Sequence, residues 1–209
     1  MFNELILEEI PNRVVSLVPS MTESMFDLGL GKYVVGITDY CVYPKDSVAQ
    51  LPKIGGPKTI NTKKIIDLKP DLVICNQEEN SCKAIEELVE AGLTVWVTFP
   101  LSVNDAINDL RKLARAYHSA YAMQVIKSLE DNFEWLCLSL IDHGRFRYFC
   151  PIWQRENDSG VNEWMTFNRR NYIDDLLANM GGSNIFSDNN AGEEAPRYFY
   201  VALKDIIDG

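Results

Sequence analysis

Histidine is nearly missing from this sequence: His118 and His143 are the two in 209 residues. Bare zinc or manganese sites need imidazoles and carboxylates converging on the ion. Both histidines therefore read as surface or packing residues, and no metal site is expected. Positive charge is also short, with 20 Lys and Arg against 30 Asp and Glu and a formal net charge of -10. That balance argues against a nucleic-acid partner, whose phosphates need a basic face. No run of about 18 apolar residues occurs, so no membrane-spanning helix is expected. The five cysteines, Cys41, Cys75, Cys82, Cys137 and Cys150, form no CxxC pair and no zinc spacing. An odd, dispersed set reads as reduced thiols, several of them buried. The opening stretch MFNELILEEIPN carries acids where a secretory leader is basic, and it has no small-residue cleavage site. As written the chain reads as cytoplasmic; a periplasmic or extracellular location follows if a leader has been removed. GxSxG, Walker A, GxGxxG and HExxH are all missing. Gly29-Leu-Gly31-Lys32 is too short for a phosphate loop, and nothing brings Cys41 or Cys75 beside His118 or His143. An enzyme is not the expected reading.

What is present alternates. Residues 13–18 (RVVSLV), 33–38 (YVVGIT), 71–75 (DLVIC) and 94–98 (TVWVT) are short apolar runs. Helical segments separate them: one opened by a capping box of Ser20 and Glu23 and stopped by Gly29, one over 61–68, and one over 81–91 closed by Gly92. Continuous apolar strands alternating with helices predict a parallel sheet covered on both faces.

From Ser102 to Asp142 there is neither Gly nor Pro. Val103, Ile107, Leu110, Ala114, Tyr117, Tyr121, Val125, Leu129, Phe133, Leu136 and Leu140 recur at helical spacing. Ser102 with Asp105 is a start signal and Gly144 a stop. Unbroken, the segment makes a rod of about 60 Å, either a strut between two lobes or two helices with a bend near His118–Ala122. A second strand-rich unit follows. A strand over 145–153 is interrupted by Pro151, Asp158-Ser-Gly160 is a turn, and 163–167 is a second strand. A helix over 168–180 is capped by Asn168, a short strand covers 184–187, a polar loop covers 188–195, and a last helix starts at Val201. The expected organisation is an N-terminal α/β lobe over 1–101, a bridging helix over 102–143 and a C-terminal α/β lobe over 144–209. The second lobe is thin and looks incomplete at its end.

The motifs carry a family resemblance. RVVSLVPSMTE (13–23), VGITDYCVYP (35–44), PKIGG (52–56), IIDLKPDLVI (65–74), LVEAGLTVWV (88–97) and DLLANMGGSNIF (175–186) resemble, in the same order, the elements of class III or helical-backbone substrate-binding proteins, the vitamin B12/iron-complex receptors. The resemblance covers about residues 12–208. It implies an α/β fold of two Rossmann-like lobes with parallel sheets joined by one long helix, and no enzymatic activity. It also implies a ligand held in the cleft between the lobes: cobalamin, haem or a ferric siderophore. The partner it implies is an ABC permease.

The resemblance also places residues. Tyr40 and Tyr43, with Asp39, fall in a rim loop of the first lobe. Trp153, Trp164 and Met165 fall on the second lobe, and Arg197, Tyr198 and Phe199 fall before the last helix. Aromatics there suit a flat or apolar ligand, and Arg197 suits an anionic substituent. Two features depart from the family. Where cobalamin receptors have an aromatic after the DLVI strand, this chain has Asn76 followed by Gln77, Glu78 and Glu79, a polar cleft edge or a solvated turn. The aromatic expected around Pro57–Thr59 is also missing. Where importer-coupled relatives carry one docking glutamate per lobe, this chain has Lys63 and Lys204, which turns attraction at such a dock into repulsion. A cytosolic interaction or regulatory module that reuses the fold without a ligand is the alternative.

Overall fold

The computed structural model describes Leu5 and residues 9–140, 144–189 and 196–208. His143, most of the opening stretch and most of the 188–195 loop lie outside the described residues. The chain divides into two compact units, Met1–Phe99 with Ile107–Ser128, and Pro100–Ala106 with Leu129–Gly209.

The first unit runs β1 (Val14–Ser16), α1 (Pro19–Asp27), β2 (Val34–Ile37), α2 (Lys45–Val48), β3 (Gly55–Gly56), β4 (Thr59–Ile60), α3 (Thr62–Asp67), β5 (Leu72–Asn76), α4 (Cys82–Glu90) and β6 (Val95–Thr98). Four strands pair in the order β2-β1-β5-β6, all parallel. Alternate residues enter opposite layers. Val15, Leu17, Val73, Cys75 and Val97 pack with Ile65, Ile85 and Leu88 from α3 and α4. Val14, Ile74 and Trp96 point the other way and are equally buried. Each such side chain contributes about 1.5–3 kcal/mol through burial. α1 begins one residue before the expected cap. Pro19 occupies its first turn after Val18, with no side-chain cap bond, because proline's fixed φ already suits a helix start. The Ser20–Glu23 capping box does not form.

The predicted long helix is two helices, α5 (Val103–Ala116) and α6 (Ala120–Leu140). The start is as expected: Ser102 Oγ accepts the Asp105 N–H at 3.0 Å. The break lies at His118, whose φ is 47°. Its N–H donates to Arg115 O at 3.0 Å and the Ser119 N–H to Ala114 O at 2.9 Å. These two bonds form a Schellman closure, with histidine where glycine is usual. Ser119 then opens α6, its Oγ accepting the Ala122 N–H at 3.1 Å. The break also turns the apolar face. Ala122 and Ile126 are buried, while Tyr121 and Leu129 of the expected stripe are exposed.

The second unit contains β7 (Phe146–Tyr148), β8 (Trp153–Glu156), β9 (Asn162–Phe167), α7 (Tyr172–Asn179), β10 (Gly182–Asn184), β11 (Tyr198–Ala202) and α8 (Leu203–Asp208). Among the described residues of this unit only β7 and β10 pair in parallel; β11, β9 and β8 form an antiparallel sheet. This corrects the expectation of parallel sheets in both lobes. β7 ends at Tyr148, before Pro151, and the chain changes sheet before β8. The short turn between β8 and β9 permits only an antiparallel return. α7 starts later than expected, because Asn171 Oδ1 caps Ile173 N at 2.9 Å. Asn168 instead accepts Arg170 N–H at 3.0 Å and donates to Asn189 O. Val201 and Ala202 belong to β11, not to the last helix, and the short strand before Phe186 is 182–184 rather than 184–187.

Two expectations follow from these features. Burial pushes the Cys75 thiol from 9.0 to about 12. Between those values the unfolded chain releases the thiol proton and the folded chain keeps it. Stability therefore falls with rising pH by about 1.4 kcal/mol per unit for this group, and below pH 9 the group contributes no slope. Urea unfolding from pH 8 to 11 should show a steeper decline in the wild type than in Cys75→Ala; equal slopes would show the thiol to be solvated. At the helix break, His118→Gly should leave stability within about 1 kcal/mol, while β-branched His118→Val lowers it by about 1–2 kcal/mol. Equal urea midpoints for the glycine and valine variants would refute the left-handed closure.

Candidate functional site

In open parallel sheets ligands meet the carboxyl ends of the strands where the strand order reverses. In the first unit the order reverses between β1 and β5, since β1 leads to β2 on one side and β5 to β6 on the other. The loop leaving β2 bears Asp39, Tyr40, Val42 and Tyr43. Tyr40 is 66% exposed and Tyr43 62%. The loop that carries them is pinned from beneath. Asp39 N–H donates to Gly55 O at 3.0 Å, and Lys53 Nζ to Cys41 O at 3.0 Å. Buried Cys41 Sγ lies 3.2 Å from Thr22 Oγ1 and 3.1 Å from Thr38 Oγ1. A Cβ on Gly56 would meet the Tyr40 ring at 3.5 Å, so the ring rests along the β3–β4 hairpin.

The loop leaving β5 is held by asparagines. Asn76 Oδ1 accepts the N–H groups of Glu78 and Glu79 at 2.8 and 3.1 Å. Asn80 Oδ1 accepts Asn76 N–H at 2.7 Å, and Asn80 Nδ2 donates to Pro57 O at 3.1 Å and Leu17 O at 3.4 Å. One buried amide thus joins the ends of β1 and β5 to the hairpin. Lys58 Nζ donates to Glu78 O. Burial pushes the Glu79 carboxyl above its usual range, against the nearby Lys58. Glu78 is exposed and Glu79 half-buried, in a turn that precedes α4 rather than in its first turn.

In the second unit the antiparallel register sorts the aromatics onto two faces. Trp153 pairs with Met165 and Met165 with Tyr200; Arg155 pairs with Glu163; Tyr198 pairs with Phe167. These share one face, where Trp153 is 66% exposed. Trp164 and Phe199 lie on the opposite face with buried Thr166 and Val201. There the Phe199 ring packs edge-on to buried Phe186, with centroids 6.0 Å apart. The structure therefore separates Trp164 and Phe199 from Trp153, Met165 and Tyr198. Tyr198 OH accepts a bond from Asn171 Nδ2 at 2.7 Å, so its hydroxyl is engaged at the α7 cap. Arg197 lies by the Tyr198 ring, 5.6 Å from its centroid. Arg155 and Tyr200, on the Trp153 face, were not anticipated. The signal was there in the two-residue spacing of Tyr198 and Tyr200 on a strand.

Lys63 and Lys204 are exposed, each the second residue of a six-residue helix, α3 and α8. Of their acidic neighbours, Asp205 Oδ2 accepts the Ala202 N–H at 2.9 Å. Among the described residues no three His, Cys, Asp or Glu gather to hold a metal ion, and no helix is long and apolar enough to cross a membrane.

A parallel sheet with aromatics at its carboxyl edge, followed by a second α/β unit, defines a binding-protein architecture. The sequence matches the periplasmic binding protein family over residues 14–197. The chain belongs to that family, whose members bind rather than transform their ligands. An uncharacterized ABC transporter substrate-binding lipoprotein of Bacillus subtilis is 42% identical over 105 residues, 49% of this chain and 31% of its own length. A vitamin B12-binding protein of Vibrio vulnificus is 26% identical over 196 residues, 93% of this chain and 67% of its own. The crystal structure of the periplasmic vitamin B12 binding protein of Vibrio cholerae has a TM-score of 0.76 at 23% identity, covering 95% of this chain and 73% of that one. At that identity the likeness speaks for the fold alone. The chain spans under a third of the Bacillus relative's length and about two thirds of the Vibrio vulnificus one.

Removing the Asn80 amide should strand the Asn76 N–H and the Pro57 carbonyl. Asn80→Ala is expected to lower stability by about 1–3 kcal/mol and to speed amide exchange in the loops after β1 and β5, read by hydrogen exchange. Unchanged exchange at both loops would show that Asn80 does not join them.

Proposed function

We propose that this chain forms the ligand-binding part of a receptor for a metal-containing small molecule (a corrinoid, haem or ferric siderophore) that serves an ABC importer. Family membership and the vitamin B12-binding relative support this reading. The observation that carries it is the pair Tyr40 and Tyr43, large rings left 66% and 62% exposed on a loop tied down by backbone bonds. A rigid aromatic costs little entropy on contact with a flat or apolar surface. Trp153 and Met165 offer a similar surface in the second unit. Asn76 Oδ1 and the Tyr198 hydroxyl, already engaged, are assigned to support rather than to ligand contact.

A second reading, an interaction or regulatory module without a ligand, is favoured by one observation. Lys63 and Lys204 are solvent-facing cations where the family resemblance places docking acids. Titration separates the two readings. Cyanocobalamin, haem and a panel of ferric siderophores should include one that gives a saturable absorbance and tryptophan-fluorescence change. Tyr40→Ala and Tyr43→Ala should each weaken it by about tenfold while leaving the thermal midpoint in place. A folded chain that responds to none of them overturns the receptor reading in favour of the module.

A further inference from the structure

The antiparallel sheet of the second unit ends on β8, which pairs with β9 on one side and, among the described residues, with nothing on the other. Its four residues, Trp153, Gln154, Arg155 and Glu156, are all exposed, Trp153 to 66%. The hairpin fixes which backbone groups face outward. Asn157 N–H donates to Val161 O at 2.9 Å, and hydrogen-bonded pairs recur at every second residue of an antiparallel ladder. Arg155 opposite Glu163 and Trp153 opposite Met165 therefore turn their N–H and C=O toward β9. Gln154 and Glu156 turn theirs away from it. The open edge is a row of backbone donors and acceptors on which another strand can form.

Soluble proteins block such an edge with outward charge or with proline. Here the charges are drawn off it. Arg155 leans inward across its own sheet: Nε and Nη2 donate to Glu163 Oε2 on β9 at 3.0 and 2.9 Å, and Cζ lies 3.5 Å from the ring centroid of Tyr200 on β11. Glu156 Oε1 lies by the β8–β9 turn, 3.5 Å from where a Cβ on Gly160 would stand. Pro151 precedes the strand and removes neither outward N–H. Trp153 is left at the edge, in one row with Met165 and Tyr200.

A second copy of β8 fits this edge in one register. An outward-facing residue must oppose an outward-facing one, so the two-fold axis passes through a residue position. Centred on Arg155 or on Glu156, the pairing sets that charge against itself, which is destabilising. Centred on Trp153, it sets Gln154 opposite Ile152, whose N–H is already given to Met165 O at 2.8 Å, and no pair exchanges both bonds. Centred on Gln154, the two Gln154 residues exchange both backbone bonds. Trp153 of each copy then falls opposite Arg155 of the other on one face, and Ile152 falls opposite Glu156 on the other face. No like charges meet, and each tryptophan ring lies against an arginine already held flat on Tyr200, a favourable ring–cation contact.

We propose that β8 pairs edge to edge with β8 of a second copy of this chain about a two-fold axis at Gln154, joining two three-stranded sheets into one continuous sheet. The pairing uses backbone groups and side chains of the second unit alone, and it holds whether or not the chain binds a small molecule.

Sedimentation of the 209-residue chain over about a hundredfold range of concentration should show one chain mass passing into two. Each copy carries a formal net charge of -10, so the measurement is made at about 0.15 M salt, where that repulsion is screened beyond about 8 Å. Gln154→Lys and Gln154→Glu each place like charges face to face across the axis and should each weaken the dimer by about fivefold. An equimolar mixture of the two should recover it, because lysine then faces glutamate. Gln154→Pro removes an outward N–H that β9 does not use and should weaken the dimer by about tenfold or more, with the far-UV circular dichroism unchanged. A wild type of one chain mass throughout overturns the proposal. So does a dimer indifferent to the charge variants or to a folded Gln154→Pro, and so does a mixture of the charge variants that fails to recover.

Discussion

The end of a parallel strand leaves backbone groups that no neighbouring strand will take, and the first unit is organised by how those groups are satisfied. At β5 and β6 the partners are side chains. Asn76, Asn80 and Thr98 close the edge, with Thr98 Oγ1 donating to Cys75 O at 3.0 Å. At β1 and β2 the corresponding group is Ser16, Thr22, Thr38 and Cys41, all buried, with Thr22 Oγ1 2.8 Å from Ser16 Oγ. Leaving such groups unpaired costs about 1–3 kcal/mol each. The polar residues at this edge therefore have prior obligations. What this edge leaves in solvent is the aromatic part of the β2 loop, Tyr40 and Tyr43, on a backbone that is tied.

The same accounting explains what was legible in the sequence. Strands buried on both faces write themselves as RVVSLV, DLVIC and TVWVT, since most positions are apolar with no polar alternation, and Gly29 and Gly92 mark the left-handed helix ends they occupy at φ 71° and 82°. His118 performs the same closure without the expected residue type, so a stretch lacking Gly and Pro left one rod and a bend near His118–Ala122 both open. Asn168 and Asn171 are the same amino acid three positions apart, and nothing local decides which caps α7. Tertiary bonds to Asn189 O and Tyr198 OH decide it. Pairing direction in the second unit was hidden for a related reason. A strand run reports burial, and its pairing direction is set by the length of the next turn.

For the site, exposure of Tyr40 and Tyr43 followed from their place in a short loop motif. The second unit was less readable because a strand presents alternate residues to opposite faces. Trp164 and Met165, adjacent in sequence, cannot serve one surface. Neither can Tyr198 and Phe199. Only the register between β9 and β11 shows that Tyr200 joins Trp153 and Met165. Arg155 is harder still to place, since its guanidinium reaches Tyr200, two strands away from its own backbone.

A chain with a formal net charge of -10 is an unpromising receptor for an acid if only the long-range field is considered. That field is screened over about 8 Å at physiological ionic strength. Discrimination at contact depends on donors held in place where water is displaced. An arginine on a flexible surface stem would lose much of its advantage to side-chain entropy on being ordered. Arg155 has already lost that freedom to Tyr200 and Glu163. The Glu163 carboxylate lowers its net charge, but leaves Nη1 directed by a fixed plane. Geometry then matters more than total charge: the plane of this guanidinium is set by Tyr200 and Glu163 before anything else approaches it.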